Sequence, residues 1–189
     1  MPTSLRLRMH LWRLEMNKRV VLYESHYGST ETYAQWIGDA LNCECKRIKD
    51  FDLNNLNNYD TIIYGGGMYA VGILGLKKLK RALANVSGVN VFVFAVGLST
   101  ITEKTLVHVR DSNLDGPLKD IPLFMLRGKF DIDKVSFKHK LLMKALAKKV
   151  KSKNEPLTDD ERGIVECVKK PVDAMDKSQI NSLIKAVNA

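Results

Sequence analysis

The sequence predicts an α/β fold built on a doubly wound, five-stranded parallel sheet, with helices on both faces and an added basic helical segment. Three observations lead there. Five short apolar runs rich in β-branched and aromatic residues alternate with stretches of helical periodicity. One of them, Val89 to Val96, is almost unbroken, as suits a central strand covered on both faces. Three of the runs end in loops of glycine and small polar residues, and open α/β sheets bind ligands at the carboxyl ends of their strands.

The elements follow in order. Residues 1 to 17 interleave apolar and basic side chains, with no continuous apolar stretch and no small-residue cleavage site, so they do not form a signal peptide. They are expected to be a disordered extension; a membrane-surface or docking arm is the competing reading. The domain then runs from residue 18 to 189. Arg19 to Glu24 is the first strand, and Ala34, Ile37 and Leu41 recur behind it at helical spacing. Cys43 to Ile48 is a second strand with both thiols on one face. The third, Thr61 to Tyr64, is expected to stop at Gly65-Gly66-Gly67. Leu76 to Ala84 is helical, Val89 to Val96 is the fourth strand, and a polar helix extends to about Asp111. Ile121 to Leu126 is the fifth, with Pro122 near its start, where the missing N–H costs least. Ile180, Leu183, Ile184 and Val187 predict an amphipathic closing helix.

The 189 residues suit one compact domain, and no apolar run approaches the length of a membrane span. Cys43, Cys45 and Cys167 make neither a disulfide framework nor a zinc pattern, which predicts a cytoplasmic protein. A net charge of +9 points to an anionic partner. Most of it sits in residues 127 to 153, where ten Lys and Arg face only Asp131 and Asp133, and the first 18 residues hold a smaller surplus. The remainder is near neutral, and no recognition motif supports nucleic acid. The insertion, about 127–160, extends the sheet plan. A helical wheel puts Lys140, Lys144, Lys148 and Lys151 on one face and Leu142, Met143, Leu146 and Val150 on the other. Two roles stay open: a surface helix packed through its apolar side, or an interfacial helix on an anionic membrane.

The loops carry the chemistry. Ser25-His26-Tyr27-Gly28-Ser29-Thr30 leads from the first strand into a helix, and free amides, hydroxyls and the positive end of a helix dipole together cradle an anion. A plain Ser/Thr-capped helix start is the alternative. The loop is neither a Walker A motif nor GxGxxG, which disfavours ATP, GTP and NAD. After the third strand, Gly66, Gly67, Met68, Tyr69, Ala70 and Val71 suit a flat ligand: glycines permit close approach, and Met68 or Tyr69 can flank a ring. Gly97, Leu98, Ser99 and Thr100 repeat the small-polar pattern. His26 contacts an anion or a ring edge, or faces solvent. His108 and His139, without partners at ligand spacing, are surface or packing residues, and Asp111, Asp115 and Asp120 are turn and cap residues. No metal site is expected.

SHYGSTETYA after VVLYE, TIIYGGGMYAVG and VFVFAVGLST resemble the phosphate loop and the two ring-flanking loops of flavodoxin-like proteins. Ser25, Gly28 and Thr30 match that phosphate loop, whereas Tyr27 replaces its usual Thr. LRGKFDIDKVSFKHKLLMKAL resembles the insertion of menaquinone-dependent protoporphyrinogen oxidases of this fold. The resemblance implies FMN, with phosphate on Ser25 to Thr30, the ring between the loops at Gly66 to Val71 and Gly97 to Thr100, and the chemistry on the flavin. It further implies a dehydrogenase of heme biosynthesis that passes electrons from a porphyrinogen to a quinone, with peripheral contact at the inner face of the cell membrane. Two alternatives remain: an electron carrier between proteins, a class whose acidic surfaces contrast with this basic chain, and a cofactor-free domain of the same fold.

Overall fold

Side chains alternate along a strand, so a strand that is apolar on both faces must be covered on both. In Arg19–Glu24 (β1), Val20 and Leu22 join one core cluster while Val21 and Tyr23 join another, and all four are buried. The computed structural model describes residues 18–69, 72–98, 100–157 and 159–189. The extension at 1–17 and the site residues Ala70, Val71 and Ser99 lie outside the described residues.

The remaining strands are Glu44–Arg47 (β2), Thr61–Tyr69 (β3), Gly72–Ile73 (β4), Asn90–Gly97 (β5), Leu123–Arg127 (β6), Lys129–Phe130 (β7) and Val172–Asp173 (β8). Five of the strands form a parallel sheet in the order β2-β1-β3-β5-β6, and β4 folds back antiparallel on the end of β3. The helices are Ser29–Leu41 (α1), Leu76–Leu83 (α2), Glu103–Asn113 (α3), Phe137–Lys151 (α4), Asp159–Cys167 (α5) and Asn181–Val187 (α6). Tyr33, Ala34, Ile37 and Leu41 of α1 cover one face of the sheet together with Ile180 and Leu183 of the closing segment. Leu76, Leu79 and Leu83 of α2 and Val109 of α3 cover the other. The predicted α/β class and doubly wound parallel sheet are both present.

The third strand does not stop at the glycines. β3 continues through them to Tyr69, paired with β1 and β5 as far as Gly66 and Gly67. A Cβ on Gly65 would lie 2.0 Å from Phe94 Cζ, and one on Gly66 would lie 2.3 Å from Ile73 Cγ2 and 2.7 Å from the Leu74 carbonyl oxygen. These two glycines make room for the protein's own side chains and backbone. β2 begins one residue after Cys43. Cys43 and Cys45 are half-buried against the α1 side of the sheet, and burial pushes both thiols up to about 11.

The chain leaves the sheet after β6, and β7 pairs antiparallel with β8. The insertion therefore closes at this two-stranded ribbon and runs on to residue 171, past the expected end at 160. Within it α4 and α5 pack on each other, burying Ala147 and Val150 of α4 and Val165 and Cys167 of α5. The predicted apolar face of α4 is corrected accordingly. Val150 is buried and Met143 half-buried, but Leu142 and Leu146 are exposed, as are Phe137 (80 %) and Leu141 (61 %). The lysine face also differs: Lys140 is tied to Asp133 at 2.5 Å, while Lys144, Lys148 and Lys151 are exposed.

Candidate functional site

From β1 the chain crosses to β2 on one side and then to β3 on the other, so the sheet order reverses between β1 and β3. A crevice opens at such a reversal, outside the carboxyl ends of the strands. The residues that line it are set by local structure first. Gly28 takes a left-handed conformation, φ 88°, and stands as the N-cap of α1 with no side-chain cap hydrogen bond. The first intrahelical bond runs from the Thr32 amide to the Gly28 carbonyl at 2.9 Å. The amides of Ser29, Thr30 and Glu31 consequently have no intrahelical acceptor and open towards the loop. The Ser/Thr-capped alternative is thereby replaced by a bare helix start, which carries the positive end of the dipole.

Ser25 and Thr30 are both buried, at 3 % and 2 % exposure. Ser25 Oγ accepts from the Gly28 amide at 3.1 Å, which leaves its own hydroxyl hydrogen to donate. The Thr30 hydroxyl has no hydrogen-bond partner among the described residues. Glu31, the one acidic side chain in the first turn, accepts from the Tyr23 hydroxyl at 2.8 Å. Arg47 donates to the Ser25 carbonyl oxygen and holds the exit of β1 in place. Ser29 departs from expectation: its hydroxyl accepts from the Lys129 amide at 3.1 Å and faces the Lys129 carbonyl at 3.3 Å. It anchors the ribbon at the base of the insertion, leaving only its amide for a ligand. Gly128 beside it donates to the Gly97 carbonyl at 2.8 Å, and a Cβ there would press on Val96 Cγ1 at 2.9 Å.

Of the residues expected to flank a ring, Tyr69 is exposed at the lip of β3, and Met68 is turned inward. A Cβ on Gly97 would lie 3.1 Å from Met68 Sδ, so this thioether fills the gap between β3 and β5. A Cβ on Gly67 would lie 3.3 Å from Thr30 Oγ1, which brings the β3 lip against the anion loop. Leu98 is half-buried, and Thr100 is exposed, its carbonyl accepting from the Thr105 hydroxyl at 3.5 Å.

His139, expected at the surface or in packing, is brought to this lip by the first turn of α4. Its Nδ1 contacts the Tyr27 hydroxyl and lies 3.1 Å from Ser136 Oγ. Its ring centroid is 5.2 Å from Tyr69, 5.7 Å from Tyr27 and 6.1 Å from His26. His26 is in turn 6.2 Å from Tyr69. Burial pushes the Tyr27 phenol up, partly opposed by the Ser136 hydroxyl, so it stays protonated at neutral pH. Only the tertiary fold brings these four rings together; Tyr27 and His139 are 112 residues apart in sequence. A cleft of about 550 Å³, lined by Tyr69, Ile73, Leu74, Asp111, Asn113 and Asp115 among others, shares Tyr69 with this cluster and takes no residue from the anion loop.

The family model described as a flavodoxin domain matches residues 20–156. No curated protein has a significant match to the chain. Among solved structures, a flavodoxin from the domain Archaea is 15 % identical over 91 % of this chain and 99 % of its own, with a TM-score of 0.44. A WrbA-like flavodoxin from Agrobacterium tumefaciens is 18 % identical over 82 % and 94 %, TM-score 0.41. Oxidised flavodoxin 1 from Bacillus cereus is 16 % identical over 81 % and 93 %, TM-score 0.40.

Proposed function

The chain belongs to the flavodoxin domain family, and from that premise we propose that it is an FMN-dependent oxidoreductase. In this proposal it carries electrons from a small-molecule reductant of the protoporphyrinogen type to a quinone. The observation that carries the proposal is the bare start of α1 behind left-handed Gly28, at the reversal of the sheet order and beneath the exposed ring of Tyr69. A phosphate monoester fits what the residues offer. The amides of Ser29, Thr30 and Glu31 donate, the Ser25 and Thr30 hydroxyls add neutral donors, and no carboxylate is left unpaired in the first helical turn. Tyr69 would flank the ring. Bound there, FMN would supply the redox chemistry, taking electrons from the reductant and giving them to the acceptor.

The chain's own contribution is to bind, orient and attract. The insertion sets Lys138, Lys144, Lys148 and Lys149 beside the exposed Phe137, Leu141, Leu142 and Leu146. A basic surface with apolar side chains suits both carboxylate-bearing reductants and an anionic bilayer in which a quinone resides. Among the described residues no helix is long and apolar enough to cross a membrane. Membrane contact in this proposal is peripheral, through α4 at the cytoplasmic face. The test mixes FMN-loaded protein with protoporphyrinogen and a menaquinone analogue. Quinone-dependent porphyrin formation above a free-flavin control is expected. Its absence, in protein whose absorbance shows bound flavin, overturns the proposal.

A further inference from the structure

We propose that His139 is a ligand-binding residue supplied by the insertion, donating a hydrogen bond from Nε2–H to the ring portion of the molecule whose phosphate occupies the Ser25–Thr30 loop. This deepens the FMN proposal above and rests on it. The argument starts at Nδ1. Two hydroxyls converge on that nitrogen, those of Tyr27 and Ser136. In this proposal the Tyr27 phenol donates to Nδ1, which makes Nδ1 the acceptor and places the ring hydrogen on Nε2. Ser136 is also the N-cap of α4, with its Oγ 3.5 Å from the His139 amide, so one serine fixes both the helix start and the ring.

Nε2 has no hydrogen-bond partner among the described residues. The same is true of both nitrogens of His26 and of the Tyr69 hydroxyl. Four unpartnered polar atoms thus stand on three rings whose centroids lie 5.2 to 6.2 Å apart, beside the bare helix start. Rigid aromatic bodies with a few polar tips are what a planar heterocycle with acceptors on its edge requires. The Tyr27 departure from the usual phosphate loop acquires a physical reason here. Where related loops place Thr, this chain places a side chain long enough to reach the insertion. Tyr27 and Ser136 are accordingly positioning residues, and His139 touches the ligand.

The experiment compares dissociation constants for FMN, riboflavin and inorganic phosphate across the wild-type full chain, His139→Phe, His139→Gln and Tyr27→Phe. Phe keeps a ring and removes the donor, whereas Gln restores a neutral N–H. His139→Phe is expected to weaken FMN and riboflavin alike by roughly tenfold and to leave phosphate within about twofold. His139→Gln recovers most of the loss, and Tyr27→Phe loses roughly threefold because Ser136 still holds Nδ1. Unchanged flavin affinity in His139→Phe, or an equal loss for phosphate, overturns the proposal while leaving the FMN function standing. Wild-type protein that binds neither flavin overturns both. A measurement on the ligand-free wild type guards against variants that fail to fold: imidazole ¹⁵N shifts should show the Nε2–H tautomer at His139, and a dominant Nδ1–H tautomer refutes the assignment.

Discussion

Replacing Gly65 by Ala separates two meanings of the triple glycine. If these residues thin the backbone for a ligand, the substitution lowers ligand affinity and spares stability. The structure predicts the reverse. The new Cβ would lie 2.0, 2.4 and 2.6 Å from Cζ, Cε2 and Cε1 of Phe94, a fully buried ring. β3 is hydrogen-bonded to β1 on one side and β5 on the other, so the strand cannot step aside without breaking a ladder. The ring must move by more than about 1 Å in a packed core, an overpacking cost of about 3 kcal/mol. Exchanging Gly for Ala within a strand returns at most about 1 kcal/mol, leaving a net loss of about 2 kcal/mol. Phe94→Leu removes the three clashing atoms and alone costs about 1 to 2 kcal/mol. The double variant should therefore be no less stable than Phe94→Leu by more than about 0.5 kcal/mol, a coupling of about 2 kcal/mol between residues in contact. Urea unfolding of the four proteins, followed by circular dichroism, measures the cycle. Additive losses, or a Gly65→Ala protein as stable as the parent, refute the steric account.

Further outcomes rest on other parts of the fold. Ser29→Ala leaves the part-buried Lys129 amide without its acceptor and should cost about 1 kcal/mol, with hydrogen exchange accelerated at Lys129 and Phe130 of the ribbon. Gly28→Ala meets open space, so its expected cost of about 1 kcal/mol comes from the left-handed backbone alone, and Gly28→Asn should lose less in thermal unfolding. Burial holds the Cys43 and Cys45 thiols protonated up to about pH 11, so native protein at pH 8 should react with iodoacetamide far more slowly than urea-unfolded protein. The same shifts fix a sign: the unfolded chain loses these protons first, so stability is unaffected below about pH 9 and falls as pH rises from there towards 11. Phe137→Glu with Leu141→Glu, at two exposed positions, should leave the unfolding free energy within about 0.5 kcal/mol of the parent while abolishing co-sedimentation with anionic vesicles. Retained sedimentation would remove α4 from the proposed membrane contact.

The five strands of the sheet and the helices α1, α2, α3, α4 and α6 were readable along the chain because each depends on neighbours in sequence, whereas α5 and the short strands β4, β7 and β8 were not. The alternation in Val20 to Tyr23 assigns both faces of β1, and the run from Val89 to Val96 marks an interior strand. The anion loop was readable too, since its glycine and hydroxyls adjoin a helix start. The triple glycine was open to a second meaning, because Phe94 and Ile73 give it its purpose from neighbouring strands. Ser29 looked like a ligand hydroxyl until Lys129, a hundred residues on, claimed it.

The sequence by itself determined a doubly wound sheet, a candidate phosphate loop and a basic insertion. The tertiary structure decided what that insertion touches. Helical periodicity establishes that α4 has apolar side chains on particular faces, but which of them is covered depends on where α5 packs, and α5 buries Ala147 and Val150 rather than the whole predicted stripe. Likewise, nothing near His139 in sequence marks it as part of a site. It becomes one because the β7–β8 ribbon closes the excursion at its base and α4 begins beside Tyr27. Local patterns record burial and turn chemistry, whereas a site assembled across 112 residues depends on the path of the chain between its parts.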